Sequence, residues 1–295
     1  MVPNSTSEIM ANTNTSTGPW LDAWRSFRKN KVALVGAGIV FFFVVLAFIG
    51  PFFAPQGIND QLLKDRLLPP SSQYWFGTDD FGRDIFSRII HGARISLRVG
   101  FSSVVGSVVV GSILGIIAGY YGKWIDTIIS RIFDIMLAFP SILLAIAVVS
   151  VLGPSLQNAL IAIAIINIPN FGRLIRSKVL SIKEEEYITS AKAIGMKDIR
   201  ILFSHILPNS MAPVIVAGTL AVASAIIEAA ALGFLGLGAQ APTPEWGKML
   251  ADARVVLRNA PWAMIFPGIA IMLTVLGFNL MGDGLRDALD PRMKN

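Results

Sequence analysis

The chain has 295 residues, of which 54% are hydrophobic and only 15% are charged, and its mean hydropathy is +0.63. An ordinary soluble domain carries about 25% charged residues, so this composition excludes a pair of soluble domains, and its apolar content excludes a disordered chain. The net charge of +6 is typical of a membrane protein with basic loops, and the absence of cysteine excludes disulfides and cysteine-ligated metals.

The chain begins with a polar tail and an amphipathic segment. Residues 1–19 are rich in Ser, Thr and Asn, which is typical of a disordered tail. Trp20, Trp24 and Phe27 then recur at helical spacing, with basic residues between them. This pattern favours a short helix in the membrane interface over a solvated lead-in. Residues 1–31 are therefore predicted to form a tail and an interfacial helix.

Long stretches without charge predict six membrane spans, because about 20 apolar residues are needed to cross a bilayer core of ~30 Å. The first two spans lie within residues 32–53 and 99–122. The run 135–172 is too long for one span, and the Gly-Pro-Ser sequence at 153–155 suits a turn, so this run is predicted to form two spans. The last two spans lie within residues 206–238 and 259–282.

The distribution of Lys and Arg orients these spans. More of them fall in segments that share a side with the N-terminus, which predicts that both termini are cytoplasmic. Residues 32–95 then hold the first span and an extracytoplasmic loop, and residues 96–286 hold a five-helix core. That core includes a cytoplasmic loop, 173–208, and residues 287–295 form a cytoplasmic tail.

Two features inside the spans indicate helix packing or function. Gly111, Gly115 and Gly119 share one face of the second span and permit another helix to approach closely. Glu228 lies inside the fifth span, where an ionisable group costs about 2.5–3.5 kcal/mol on insertion scales. Glu228 has two interpretations that stay open: a pore-facing group near the substrate path, and a structural hydrogen bond to another helix.

The loop 173–208 is polar and carries both signs of charge, yet it has the pattern of a helix. Gly195 offers a point where such a helix ends. A charged amphipathic segment between spans is explained better by docking of a cytoplasmic partner than by lipid contact. From the residues alone, a solvated connector is an equal alternative. The charged residues in its centre are Glu184, Glu185, Glu186, Lys192, Lys197 and Arg200.

This loop resembles the EAA loop of ABC importer permeases, which has Glu-Ala-Ala, three residues, Gly, nine residues and then Ile-x-Leu-Pro. The matching residues run from 187 to 195 and, after nine more, from 205 to 208. Thr189 and Ser190 replace the Glu and the first Ala, and His205 stands where Ile is usual, as it often does in the peptide branch. The resemblance implies that the following residues couple the chain to an ATPase: Glu186, Tyr187, Ala191, Lys192, Gly195, Arg200, His205, Leu207 and Pro208.

Three more segments, 76–84, 231–247 and 276–291, resemble the C-type permease of dipeptide and oligopeptide importers. The resemblance covers nearly everything after residue 20. It implies an all-α polytopic protein with the type I ABC importer permease fold, forming half of a pore for peptides in a bacterial or archaeal plasma membrane. The implied partners are a second homologous permease, two ATP-binding subunits and an extracytoplasmic binding protein, besides membrane lipid and without nucleic acid.

The sequence lacks a Gly-x-x-x-x-Gly-Lys-Ser/Thr phosphate loop. ATP is therefore expected to be bound and hydrolysed by partner subunits, and the chain itself is expected to be non-catalytic, with no cofactor and no metal. A membrane enzyme would need a cluster of reactive groups, whereas His91 and His205 lie far apart in sequence. An ion-driven transporter would need coupling carboxylates, for which Glu228 is the only candidate.

Two questions stay open at the level of sequence. Permeases that resemble this one carry dipeptides, longer peptides, glutathione or nickel complexes, and peptide is the expected substrate. The polar segment 77–84 has two equal interpretations: contact with a partner protein, and folding back against the first external loop.

Overall fold

The computed structural model describes residues 19–289, so the predicted tail 1–18 and residues 290–295 of the predicted C-terminal tail lie outside the described residues. The described chain is helical. Its helices are α1 (Pro19–Lys29), α2 (Lys31–Ile49), α3 (Ile85–Tyr121), α4 (Lys123–Leu137), α5 (Ser141–Leu152), α6 (Leu156–Ile182), α7 (Glu186–Ala193), α8 (Asp198–Ile201), α9 (Leu207–Phe234), α10 (Trp246–Ala253) and α11 (Trp262–Leu289).

Capping side chains and glycines fix several helix ends. Asn30 accepts hydrogen bonds from two backbone N–H groups in the first turn of α2, and Asp84 and Ser155 accept one each at the starts of α3 and α6. Gly122 and Gly153 have φ angles of +65° and +91°, which suit glycine and end α3 and α5. The turn predicted at 153–155 is confirmed.

Five helical segments are long and apolar enough to span a membrane: α2, α3, α6, the stretch from α8 to the end of α9, and α11. The sixth expected span is the pair α4–α5, which is bent by 96°. The bend falls inside the span predicted at the start of the 135–172 run. Pro140 follows the break and disfavours helix in the residue before it. With 12 residues, α5 is only ~18 Å long.

The glycine face of α3 packs directly against α6, as the spacing predicted. A Cβ at Gly111 would lie 2.8 Å from the Ile168 carbonyl oxygen, and one at Gly119 would lie 2.9 Å from the Val179 Cβ. At Gly115 a Cβ would overlap the carbonyl oxygen of Gly172. Residue numbers increase in the same direction along the contact in both helices, so α3 and α6 run parallel. In the chain, α5 comes between them and returns in the opposite direction.

The two ends of the bundle differ in character. At one end, residues 50–84 and 235–261 form a cap, which covers the beginning of α3. At the other end lie α7, α8 and the helix α1. The apolar side of α1, including Ala23 and Phe27, packs with Ala288 of α11, while Trp24 stays exposed. We call this second end the α7 end.

Candidate functional site

The first candidate site is the coupling segment, residues 183–206, at the α7 end. It is shorter than the expected loop 173–208, because α6 continues to Ile182 and α9 begins at Leu207. Gly195 has a φ angle of +80° and follows the end of α7, as predicted for a helix-ending glycine. A turn of π-helix, Leu202–Ile206, joins α8 to α9.

One side of α7 fixes the coupling segment to the bundle. Ile188 and Ala191 are buried in an apolar cluster with Ile175 and Val179 of α6 and Ile206 of the π-helical turn. These contacts place α7 against both α6 and the base of α9. One apolar cluster therefore joins α7 to the ends of two candidate membrane-spanning helices.

Other side chains of the coupling segment are apolar and exposed. Ile194 is 79% exposed, Phe203 is 64% exposed and Ile199 is 60% exposed. Tyr187 of α7 is exposed as well. Ile194 and Tyr187 belong to the part of the chain that lies outside the candidate spans. An exposed apolar group with acidic and basic neighbours is typical of a surface that another protein covers.

Polar contacts tie the coupling segment to the end of α3. The Tyr120 hydroxyl donates a hydrogen bond of 2.6 Å to the Asp198 carboxylate, and the Lys192 ammonium lies 5.4 Å from the centre of the Tyr120 ring. Lys183 donates to the Gly119 carbonyl oxygen at 3.2 Å. Lys192 therefore has a partner within this chain, which the sequence alone did not indicate.

The remaining residues implied for coupling occupy different environments. Glu186 begins α7 and is exposed, and Arg200 in α8 is also exposed. The His205 ring lies 6.0 Å from the Tyr187 ring and is half-buried. Leu207 and Pro208 form the start of α9, directly after the π-helical turn.

The second candidate site is a polar strip along α6, α9 and α11. It consists of Asn167, Asn170, Ser224, Glu228 and Asn279. Most of these residues line an open groove of about 480 Å³, and Glu228 lies one helical turn beyond Ser224. The groove is otherwise apolar. Three amides, a hydroxyl and a carboxylate on one open face at membrane depth indicate contact with water or a polar solute rather than with lipid tails.

Glu228 is held by a bond between helices. The Asn167 side-chain amide donates to a Glu228 carboxylate oxygen at 3.0 Å and also donates to the Ile163 carbonyl oxygen within its own helix. The structural interpretation of Glu228 is thus supported by a hydrogen bond from α6 to α9. Its partner Asn167 lines the groove, so Glu228 is placed beside the groove by this bond, and the two interpretations of this residue are compatible.

The cap brings the motif segments 77–84 and 242–247 onto the start of α3. Asp79 pairs with Arg83 at 2.6 Å, and the backbone of Thr78 and Asp79 bonds to residues 67 and 68. Of the two interpretations of segment 77–84, folding back against the first loop is therefore observed. Arg88, also buried, lies 3.7 Å from Asp79 and donates to the Pro242 carbonyl oxygen at 3.4 Å.

Trp246 is fully buried beneath the cap, rather than lying at the membrane interface. Its indole N–H donates to the Ile89 carbonyl oxygen at 3.1 Å. Glu245 caps α10 by accepting hydrogen bonds from two backbone N–H groups, and Ser96 contacts both Glu245 and Trp246. Burial raises the pKa of the Glu245 carboxyl, while the backbone hydrogen bonds to Gly247 and Lys248 oppose this change.

Comparisons with known proteins agree with this architecture. A family profile described as "Binding-protein-dependent transport system inner membrane component" matches residues 111–295, and one described as "N-terminal TM domain of oligopeptide transport permease C" matches residues 18–70. A chain of the MetNI methionine ABC transporter in an inward-facing conformation has a TM-score of 0.57 at 20% identity, covering 70% of this chain and 98% of that one. This likeness confirms the predicted all-α type I permease fold.

Curated relatives match over nearly the full length. The dipeptide transport system permease protein DppC of Alkalihalophilus pseudofirmus is 61% identical over 295 residues, covering 100% of this chain and 97% of that protein. The di/tripeptide permease DppC of Pseudomonas aeruginosa is 48% identical, covering 94% and 93%. The glutathione permease GsiD of Pectobacterium atrosepticum is 49% identical, covering 94% and 92%.

Proposed function

The chain belongs to the binding-protein-dependent transport system inner-membrane components, a family of transport subunits rather than enzymes, and we propose that it forms half of the translocation pore of an ATP-driven importer of dipeptides and oligopeptides. The observation that carries the peptide assignment is the full-length identity of 61% to a dipeptide permease. ATP is bound and hydrolysed by separate subunits, so this chain needs no cofactor of its own.

The polar strip supports a pore wall in this proposal. A second, related permease would face the strip of the first, so that the open groove beside Asn170 and Asn279 becomes part of a shared polar path. This pairing removes the amides from lipid, where they would lack hydrogen-bonding partners. Lipid covers the remaining apolar surface of the helices.

The coupling segment supports ATPase docking. Two ATP-binding subunits would dock at the α7 ends of the two permeases and cover Tyr187, Ile194 and the charged residues around them. ATP binding would draw the ATPases together and move α7 as a lever. The pore would then alternate between outward and inward openings by rigid-body motion.

The proposed orientation follows from the positive-inside distribution of Lys and Arg. Both termini and the coupling segment lie in the cytoplasm of a bacterial or archaeal cell, and the cap faces outward. The buried ion pairs of Asp79 with Arg83 and Arg88 stabilise the cap. An extracytoplasmic binding protein that delivers substrate would dock on this cap.

Glutathione is the second candidate substrate, because GsiD is 49% identical to this chain. The test is uptake of radiolabelled Ala-Ala and of radiolabelled glutathione in cells that lack this gene and carry it on a plasmid. We expect the plasmid to restore Ala-Ala uptake. Restored uptake of glutathione alone would overturn the peptide assignment, and failure to restore uptake of either would overturn both.

A further inference from the structure

The polar strip has an uneven distribution of charge, in addition to its proposed place in the pore wall. Its one ionisable side chain is Glu228, and its other members are neutral hydrogen-bonding groups. Within residues 19–289, no Lys or Arg forms an ion pair with Glu228; its observed partner is the Asn167 amide, which bonds to one carboxylate oxygen. The second oxygen has no hydrogen-bond donor among the described residues.

From this arrangement we infer that Glu228, oriented by Asn167, binds the terminal ammonium group of a peptide in transit through the pore. This inference rests on the proposed function, since it requires that the strip line a peptide pathway. A peptide's side chains vary, but each free peptide has an ammonium group at one end and a carboxylate at the other. Of these two shared charged groups, the ammonium is the one that complements a carboxylate.

The neighbouring residues fit the rest of a short peptide. Asn170, Ser224 and Asn279 lie about one helical turn from Glu228 toward the α7 end, and they offer both donors and acceptors. Such groups suit peptide N–H and C=O groups without selecting any side chain. A metal ion is a poorer fit, because the described residues contain no group of three or more His, Cys, Asp or Glu side chains that could hold one.

A single carboxylate also suits transport rather than storage. A site in a translocation path must bind its solute well enough to admit it and weakly enough to release it. One charge-assisted hydrogen bond, without a second carboxylate or a closed cavity, meets both conditions. Removing the charge should therefore slow passage of the peptide without preventing assembly of the importer.

The test uses the complete importer, with its binding protein, in proteoliposomes and radiolabelled Ala-Ala as the probe. Glu228→Gln retains the size of the side chain and an oxygen for the Asn167 amide, but removes the charge. We expect about tenfold fewer peptides transported per ATP hydrolysed, which is the effect of one charge-assisted hydrogen bond. Glu228→Asp retains the charge and should stay within about threefold of the unmodified chain.

The matched control is Thr219→Ala, about two and a half turns away in α9. There the Thr219 hydroxyl donates to the Ile215 carbonyl oxygen in its own helix. It should transport as the unmodified chain does. Transport by Glu228→Gln within twofold of the unmodified chain would overturn the inference, as would equal losses in the Gln and Asp variants. If the unmodified importer does not transport Ala-Ala at all, it is the proposed function that fails.

Discussion

Substitution of Ile194 by Ala should weaken ATPase binding without destabilising the permease. Ile194 is 79% exposed, so the isolated subunit derives little stability from its side chain. The substitution removes three carbon atoms, each contributing about 0.8 kcal/mol when buried. Scaled by the exposed fraction, the loss on docking is about 2 kcal/mol, which corresponds to ~30-fold weaker binding.

The measurement is a binding isotherm between the purified permease complex and the ATPase subunits, together with the unfolding temperature of the variant. Val255→Ala is the matched control, because Val255 is 85% exposed and lies in the cap at the opposite end. Ile188→Ala is the opposite case: its side chain is buried against α6, so its loss should cost about 2–5 kcal/mol of stability. Equal ATPase affinity for the Ile194 and Val255 variants would refute the docking assignment.

Three further predictions concern the scaffold, and thermal unfolding in detergent measures each of them. Gly115→Ala should destabilise the subunit by about 1–3 kcal/mol, because the added methyl group overlaps α6. The control Gly106→Ala should be neutral, since its Cβ would lie 3.5 Å from Ala164. Equal unfolding temperatures for the two variants would contradict this. Asp126→Asn and Arg176→Gln should each destabilise the subunit, because Asp126 of α4 and Arg176 of α6 form an ion pair. A double-mutant cycle should give a coupling energy of up to ~1 kcal/mol. Strictly additive losses of stability in the double variant would count against this ion pair. Trp246→Phe should cost about 2–3 kcal/mol, because it removes the indole hydrogen bond to Ile89 and leaves a small cavity in a fully buried site. An unchanged midpoint would contradict this.

Local chemistry made much of the fold predictable. The spans follow from uninterrupted apolar runs, and the α5–α6 turn follows from glycine and proline at 153–154. The glycine face of α3 was predictable because three glycines at helical spacing have a direct steric meaning. The size of the bend between α4 and α5 was not predictable, because the run from 135 to 152 is apolar on both sides of the break. Pro140 was the one local signal, and proline also occurs in spans that continue.

The polar strip was predictable only in part. Glu228 stood out because a carboxylate is costly in a span, whereas an amide in a membrane helix is ordinary and draws no notice. Asn167, Asn170 and Asn279 become meaningful only when α6, α9 and α11 pack side by side, which depends on contacts distant in sequence. The contact of Lys192 with Tyr120 is of the same kind, since 72 positions separate the two residues in the chain.

The two candidate sites lie on the same pair of helices, α6 and α9, on which the proposed lever would act. The buried face of α7 rests on Ile175 of α6 and on Ile206 at the base of α9. Further along, α6 carries Asn167 and α9 carries Glu228, joined by a hydrogen bond of 3.0 Å. In the proposed importer, a movement of α7 that shifts α9 relative to α6 would therefore change the position of the Glu228 carboxylate relative to Asn167.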